Sequence, residues 1–190
     1  YSTLFPSVNL LFSGSIDLAG AGLGEATRTG PDIAYDIFGG NTRNAFIQAE
    51  MAATASHFFV GGRWFTANTD AVLLREPLSD SLAEVILAQA VMTGGDYILS
   101  DNLQKISEAR LKKLKHPLFL ELTQNSGRLL PLDYFVQVQP LNISPNPLML
   151  SRFFKTPRIW FRETANMAVL FLFNLENSPL RLECNLKDLY

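Results

Sequence analysis

Three aspartates, each just after a predicted strand, are the residues of this sequence best suited to catalysis: Asp32, Asp70 and Asp101. In a β/α barrel the catalytic residues collect at the carboxyl ends of the strands. Converging carboxylates suit glycoside hydrolysis, in which one protonates the leaving oxygen and a second attacks the sugar or activates water. Aspartate is also a favoured helix N-cap and turn residue, so a structural role for each of the three stays open at this point.

A glycine-rich segment suggests a second possible function, dinucleotide binding. Gly20, Gly22 and Gly24 would suit a loop that lets backbone amides approach a dinucleotide. The spacing G-x-G-x-x-G would need a further glycine where Glu25 or Thr27 stands. A dehydrogenase is therefore an alternative that rests on these glycines alone.

The other reactive residue types give little support to triads or metal sites. No spacing of serine, cysteine and carboxylate residues around His57 or His116 suggests a triad, which favours structural roles for both. The single cysteine, Cys184, has no second thiol or histidine cluster beside it and is predicted to lie in the core. One cysteine also favours a cytoplasmic location over an oxidising compartment. No metal or organic cofactor is predicted.

The elements that must position the aspartates alternate between strands and helices as far as residue 117. Strands are predicted at 8–12, 25–29, 64–65, 71–74 and 97–99, and helices at 44–58, 82–93 and 107–115. Ser81 and Glu84 form a capping box for the second helix, and Pro117 is predicted to end the third. Such alternation is typical of a parallel sheet or barrel built from β-α units.

The pattern changes after Pro117. Strands are predicted at 158–162, 167–174 and 180–186 without helices between them. The last alternates strictly, with Leu180, Leu182 and Cys184 on one face, which is typical of an antiparallel sheet with one buried face. We therefore predict two domains, residues 1–123 and residues 124–190.

Charge and hydropathy narrow the range of partners. Sixteen Lys and Arg against eighteen Asp and Glu give a net charge of -2, so no nucleic acid partner is expected. No apolar run approaches the roughly 18 residues of a membrane span, so no membrane partner is expected either.

Only 18% of the residues are charged and the mean hydropathy is +0.11, which suggests surface that other protein covers. Together with a first residue that is not Met, this leads us to expect a piece of a longer protein, with a homo-oligomer of the full-length protein as a further option.

The segment Arg28-Thr-Gly-Pro-Asp32 resembles the R-x-G-P-D segment of the melibiase-type α-galactosidases, which are retaining enzymes. Further segments resemble the same family in the same order: Leu10-Leu-Phe-Ser-Gly14, Trp64 to Asp70 with Leu74 and Arg75, Thr93-Gly-Gly, Leu99-Ser-Asp101, Leu130-Pro-Leu-Asp133, and the terminal Asn174, Leu186 and Leu189. Two departures stand out. The family's N-D-P-D is here Ala67-Asn68-Thr69-Asp70, and Ser13 stands where a cysteine is common.

The resemblance implies an α/β fold that is the second half of a TIM (β/α)8 barrel, followed by an antiparallel β-sandwich that is incomplete. It implies that Asp32 is the general acid/base, that Arg28 binds substrate, and that Ser13, Gly14 and Asp70 also contact the sugar. The family's nucleophilic aspartate would precede Tyr1. The expected substrate is a terminal α-galactoside or related α-glycoside, and the alternative is a carbohydrate-binding relic without turnover.

Overall fold

The computed structural model describes residues 8–14, 20–33, 41–96, 98–125, 127–134, 156–176 and 178–189. Within them the chain is a mixture of helices and short strands. In chain order the elements are strands β1 (Leu11–Phe12) and β2 (Ala26–Arg28), helix α1 (Asn41–Ser56), strands β3 (Thr66–Asn68) and β4 (Ala71–Val72), helix α2 (Asp80–Thr93), strand β5 (Ile98–Leu99), a 3-10 turn (Leu103–Lys105), helices α3 (Glu108–Leu114) and α4 (Pro117–Gln124), strands β6 (Gly127–Pro131), β7 (Ile159–Thr164) and β8 (Ala168–Leu172), and a 3-10 turn (Leu186–Leu189).

The strands before α3 form two small parallel sheets, β1-β2-β3 and β4-β5. Helix α1 lies between β2 and β3 in the chain, and α2 lies between β4 and β5. Parallel neighbours need such a crossover, and the predicted alternation of strands and helices is confirmed in this part of the chain. The strand predicted at 64–65 begins later, because Thr66–Asn68 is the segment that pairs with β2.

The strands after α4 form one antiparallel sheet in the order β6-β7-β8. This confirms the strands predicted at 158–162 and 167–174, whose observed bounds are Ile159–Thr164 and Ala168–Leu172. The change from parallel to antiparallel pairing falls after α4, the last α-helix among the residues that the structure describes.

The strand predicted at 180–186 is wrong. Residues 178–185 have no regular structure, and Leu186–Leu189 form a 3-10 turn. Leu180 and Cys184 are exposed, so the prediction of Cys184 in the core is wrong as well. The physical reason is that alternation buries one face only where a sheet receives it, and the described strands offer this segment no pairing partner.

Two helix ends differ from the prediction. Helix α2 is capped by Ser79, whose Oγ accepts a hydrogen bond from the Leu82 amide at 3.2 Å. The prediction of a capping box at Ser81 and Glu84 is therefore wrong. Pro117 follows α3 but also begins α4, because the missing amide of proline is no loss in the first turn of a helix.

The core is one continuous cluster of buried apolar side chains. Helix α2 contributes Ile86, Leu87 and Met92, and the antiparallel sheet contributes Trp160 and Phe171 to the same cluster. The predicted domain boundary at 123/124 falls at the end of α4, and side chains from both sides of it pack together. No helix in the ranges given above is long and apolar enough to cross a membrane.

Arg162 of β7 connects the antiparallel sheet to helices α2 and α4. Its guanidinium donates to the carbonyls of Val91 at 2.8 Å, Met92 at 2.9 Å and Leu122 at 2.7 Å. These carbonyls lie at the carboxyl ends of α2 and α4, where a cation complements the helix dipoles. Burial lowers the pKa of Arg162 to about 10, so the side chain stays charged at neutral pH.

Candidate functional site

The adjacent strands β2 and β3 end at the same edge of their sheet. Arg28 is paired with Asn68, and the Thr29 amide extends this pairing by donating to the Asn68 carbonyl at 3.0 Å. The segments that follow the two strands are joined through the Ile33 amide, which donates to Asp70 Oδ2 at 2.8 Å. This geometry brings two of the predicted site aspartates, Asp32 and Asp70, to one place.

The Arg28 guanidinium lies between these two carboxylates. One nitrogen forms an ion pair with Asp32, and the other lies 3.4 Å from Asp70 Oδ1. Arg28 Nε donates to the Gly30 carbonyl at 3.0 Å, which fixes the direction of the guanidinium plane. The Asp32 side chain is 51% exposed, against 18% for Asp70, so Asp32 is the carboxylate that solvent and a ligand can reach. We refer to Arg28, Asp32 and Asp70 as the Arg28 cluster.

Asp70 is held in this cluster by an unusual backbone conformation. Its φ of 68° lies in the left-handed region, which residues other than glycine seldom adopt and which costs about 1 kcal/mol or more. Asn68 stabilises it, because Asn68 Oδ1 accepts from the Asp70 amide at 3.0 Å and Asn68 Nδ2 donates to the Asp96 carbonyl at 2.9 Å. Asn68 and Thr69 are themselves buried, so Asp70 is the member of this segment that reaches Arg28.

A fourth carboxyl group, Glu50 of α1, lies close to the cluster and was not among the predicted site residues. It is fully buried, and Thr29 Oγ1 donates to its Oε1 at 2.7 Å. Burial raises the pKa of Glu50 to about 7, while the hydroxyls of Thr29 and Thr54 and the Arg28 charge lower it and the Asp70 charge raises it. The sequence carries a signal for this residue, because Glu50 shares one helical face with the apolar side chains Ile47 and Met51.

Asp101 lies in different surroundings from the Arg28 cluster. Its buried carboxylate accepts from the amides of Leu74 and Arg75 and pairs with the Arg75 guanidinium at 2.8 Å. It therefore ties the end of β5 to the segment after β4, and these contacts support the structural role left open above. Asp36, a carboxylate four residues after Asp32 in the sequence, lies outside the described residues.

Ser13 and Gly14 follow β1, the strand next to β2 in the same parallel sheet. Both are exposed, and Gly14 has a φ of 83°, which a side chain would disfavour. Their position after β1 puts them at the same edge of the sheet as Arg28. The segment from Gly22 to Gly24 leads into β2, and Gly24 packs closely against Phe12, so its lack of a side chain has a packing reason independent of any nucleotide.

The two histidines have local contacts. His57 follows α1, and its Nδ1 lies 2.6 Å from the Ala53 carbonyl and 3.0 Å from Ser56 Oγ. His116 is the N-cap residue of α4 and packs against Phe119. These contacts accord with the structural roles predicted for both.

The arrangement combines an exposed carboxylate with a guanidinium whose direction is fixed. An exposed carboxylate can exchange protons, while a guanidinium held by a carbonyl and a second carboxylate can bind hydroxyl groups in a fixed geometry. Within the described ranges, no group of three or more His, Cys, Asp and Glu side chains is placed to hold a metal ion.

Neither a scan against models of protein families nor a search of curated proteins finds a match to this chain. The likeness to the melibiase-type enzymes thus rests on the motifs quoted above and stays a prediction.

Proposed function

We propose that this chain carries the acid/base part of the active site of a retaining glycoside hydrolase that resembles the melibiase-type α-galactosidases. The observation that carries the proposal is the Arg28 cluster: two carboxylates at the ends of adjacent parallel strands share one guanidinium, and the more exposed of them is Asp32. The proposed substrate is a terminal α-galactoside or a related α-glycoside.

In this proposal Asp32 acts in both steps of a double displacement. It first donates a proton to the glycosidic oxygen and then removes a proton from the water that hydrolyses the glycosyl-enzyme. Arg28 binds the sugar and orients Asp32, and Asp70 contacts a hydroxyl group. The resemblance assigns the nucleophile to another strand of the barrel, about 5 Å from the acid/base carboxyl in retaining enzymes.

The proposal extends to the fold. We infer a place in the second half of a (β/α)8 barrel from the strand-helix-strand order of the consecutive units β2-α1-β3 and β4-α2-β5, which lie in two separate small sheets. We infer likewise that the single antiparallel sheet β6-β7-β8 begins a sandwich domain.

One observation favours a second candidate, a carbohydrate-binding protein without turnover. Asn68 and Thr69 are buried, and the Asn68 amide is engaged by Asp70 and Asp96. The segment therefore presents only Asp70 to a sugar, where the family's motif has more polar groups. Binding without hydrolysis is the outcome that this candidate predicts for the full-length protein.

Binding of methyl α-galactoside to the chain tests the proposal. We expect wild type to bind and Arg28→Gln to bind about tenfold or more weakly, because hydrogen bonds to a charged group are worth about 1.5–3 kcal/mol. Arg63→Gln is the matched control, since Arg63 is exposed and precedes β3 at the opposite edge of the sheet. We also expect the chain alone not to hydrolyse an aryl α-galactoside.

Two results would contradict the proposal. One is the absence of α-galactoside binding by folded wild-type chain at millimolar ligand. The other is equal binding by Arg28→Gln and Arg63→Gln, which would place the sugar away from the Arg28 cluster.

A further inference from the structure

The buried carboxyl of Glu50 has one oxygen that is satisfied and one that is not. Oε1 accepts from Thr29 Oγ1 at 2.7 Å and from Thr54 Oγ1 at 3.3 Å. Oε2 has no hydrogen-bond partner in the part of the chain that the structure describes. A buried oxygen without a partner costs free energy, so its retention calls for an explanation beyond the packing of α1.

The unsatisfied oxygen lies directly against Gly30. A Cβ built on Gly30 would come within 1.9 Å of Glu50 Oε2 and 3.0 Å of Glu50 Cα. The carboxyl of Glu50 therefore fills the space of the side chain that position 30 lacks. This contact explains the glycine between Arg28 and Asp32 by packing, independently of any likeness to a family.

Gly30 in turn connects Glu50 to the Arg28 cluster. The Gly30 carbonyl accepts from Arg28 Nε at 3.0 Å, and Asp32 follows two residues later. A movement of the Glu50 carboxyl would displace Gly30, and with it the acceptor that orients the guanidinium.

We propose that Glu50 is a positioning residue of the sugar site: in its neutral form it supports residues 29–33 from the helix side and holds Arg28 and Asp32 in the arrangement that binds the sugar. The inference rests on the proposed function, because it names a further residue of that same site. Glu50 itself does not touch the substrate.

The charged groups around Glu50 determine how its ionisation affects the Arg28 cluster. Arg28 faces it from β2 and Asp70 from the segment after β3, while α1 contributes the uncharged Thr54. When Glu50 ionises, it attracts the guanidinium that otherwise binds Asp32 and Asp70, and it adds a negative charge behind the loop. Since burial raises the pKa of Glu50 to about 7, the change falls near neutral pH.

The test is the affinity of the chain for methyl α-galactoside between pH 6 and pH 8.5, together with the NMR shifts of the Glu50 carboxyl carbon and the Ile33 amide. For wild type we expect an affinity about tenfold lower at the alkaline end, which corresponds to one pKa unit of coupling. We expect the Ile33 amide to shift with the same midpoint as the carboxyl carbon, because that amide donates to Asp70 beside the loop.

Three variants separate this role from others. Glu50→Gln keeps the neutral shape, so it should bind as wild type does at low pH and lose the pH dependence. Thr54→Val removes a hydroxyl that lowers the pKa of Glu50, so it should move the midpoint to higher pH. Glu108→Gln, at an exposed site on α3, should behave as wild type.

The outcomes separate this inference from the proposed function. If wild type binds the sugar with no pH dependence, or if Glu50→Gln keeps the wild-type dependence, Glu50 is not a positioning residue although the sugar site stands. The second result would assign the titration to a group other than Glu50. If no sugar binds but the Ile33 amide titrates with Glu50, the loop is positioned as proposed and the sugar-binding function is wrong. If neither occurs, both are overturned.

Discussion

Glu50 and Gly30 form a complementary pair, a carboxyl on α1 and a residue without a side chain in the loop after β2. The contact joins positions 20 residues apart in the chain. The motif predicts Arg28 and Asp32 as site residues, and that assignment stays a prediction. No motif predicts Glu50, because the role of a buried carboxyl depends on which residues the fold packs against it. The apolar neighbours of Glu50 on its helical face were the available signal.

At the residue scale, we predict that Glu50 makes the stability of the chain depend on pH. Its pKa is about 7 in the folded chain, against 4.5 for an unperturbed glutamate, so the folded state binds its proton more tightly than the unfolded state does. The resulting stabilisation is fully present below about pH 4.5, falls as the pH rises, and is lost above about pH 7. Its size is about 3 kcal/mol.

Urea denaturation of wild type and Glu50→Gln at pH 5 and pH 8 measures this contribution. The free energy of unfolding of wild type should decrease, relative to that of Glu50→Gln, on going to pH 8. Other carboxylates affect both proteins equally, so the difference isolates Glu50. Parallel pH profiles for the two proteins would show that the Glu50 carboxyl does not change its ionisation between these pH values.

At the scale of elements, the junction of α2, α4 and β7 depends on Arg162. We predict that Arg162→Met lowers the free energy of unfolding by at least about 2 kcal/mol, because the buried carbonyls at the two helix ends lose their donors. Arg181→Met, at a side chain that is 88% exposed, is the control and should stay within about 0.5 kcal/mol of wild type. Equal stability of Arg162→Met and wild type would mean that the cost of burying the guanidinium cancels its hydrogen bonds.

Local sequence signals succeeded for elements that depend on local contacts. Apolar spacing and the glycine after Thr93 are enough to predict α2, and the alternation of strands and helices is enough to indicate parallel pairing. The strand at 180–186 failed because a strand needs a partner, which no local pattern supplies. Helix α4 was missed because Pro117 can end one helix and begin another, and the sequence alone does not separate the two roles.

At the scale of the whole molecule, one hydrophobic cluster contains side chains of α1, β4, α2 and the antiparallel sheet. Ile33, which follows Asp32, belongs to it, so this core contributes to the position of the Arg28 cluster. Several apolar side chains remain exposed on the described surface, among them Leu23, Phe59 and Leu172. This exposure accords with the expectation from composition that other protein covers part of this chain.

The central claim is that Asp32 is an acid/base residue, and the most direct measurement is azide rescue of Asp32→Ala in the full-length protein. The variant should hydrolyse an unactivated α-galactoside about 100 to 10,000-fold more slowly than wild type, because general acid assistance is worth that much. An aryl α-galactoside, whose leaving group needs little protonation, should lose far less in the first step. Glu108→Ala, at an exposed side chain on α3 outside the Arg28 cluster, is the control and should leave both rates unchanged.

Azide needs no deprotonation, so it should restore turnover of the aryl substrate by Asp32→Ala and yield a glycosyl azide of retained configuration. If Asp32 is only a turn residue, the substitution should cost about 1 kcal/mol of stability and slow both substrates alike. Equal losses on the two substrates, with no rescue by azide, would contradict the assignment of Asp32 and with it the proposed mechanism.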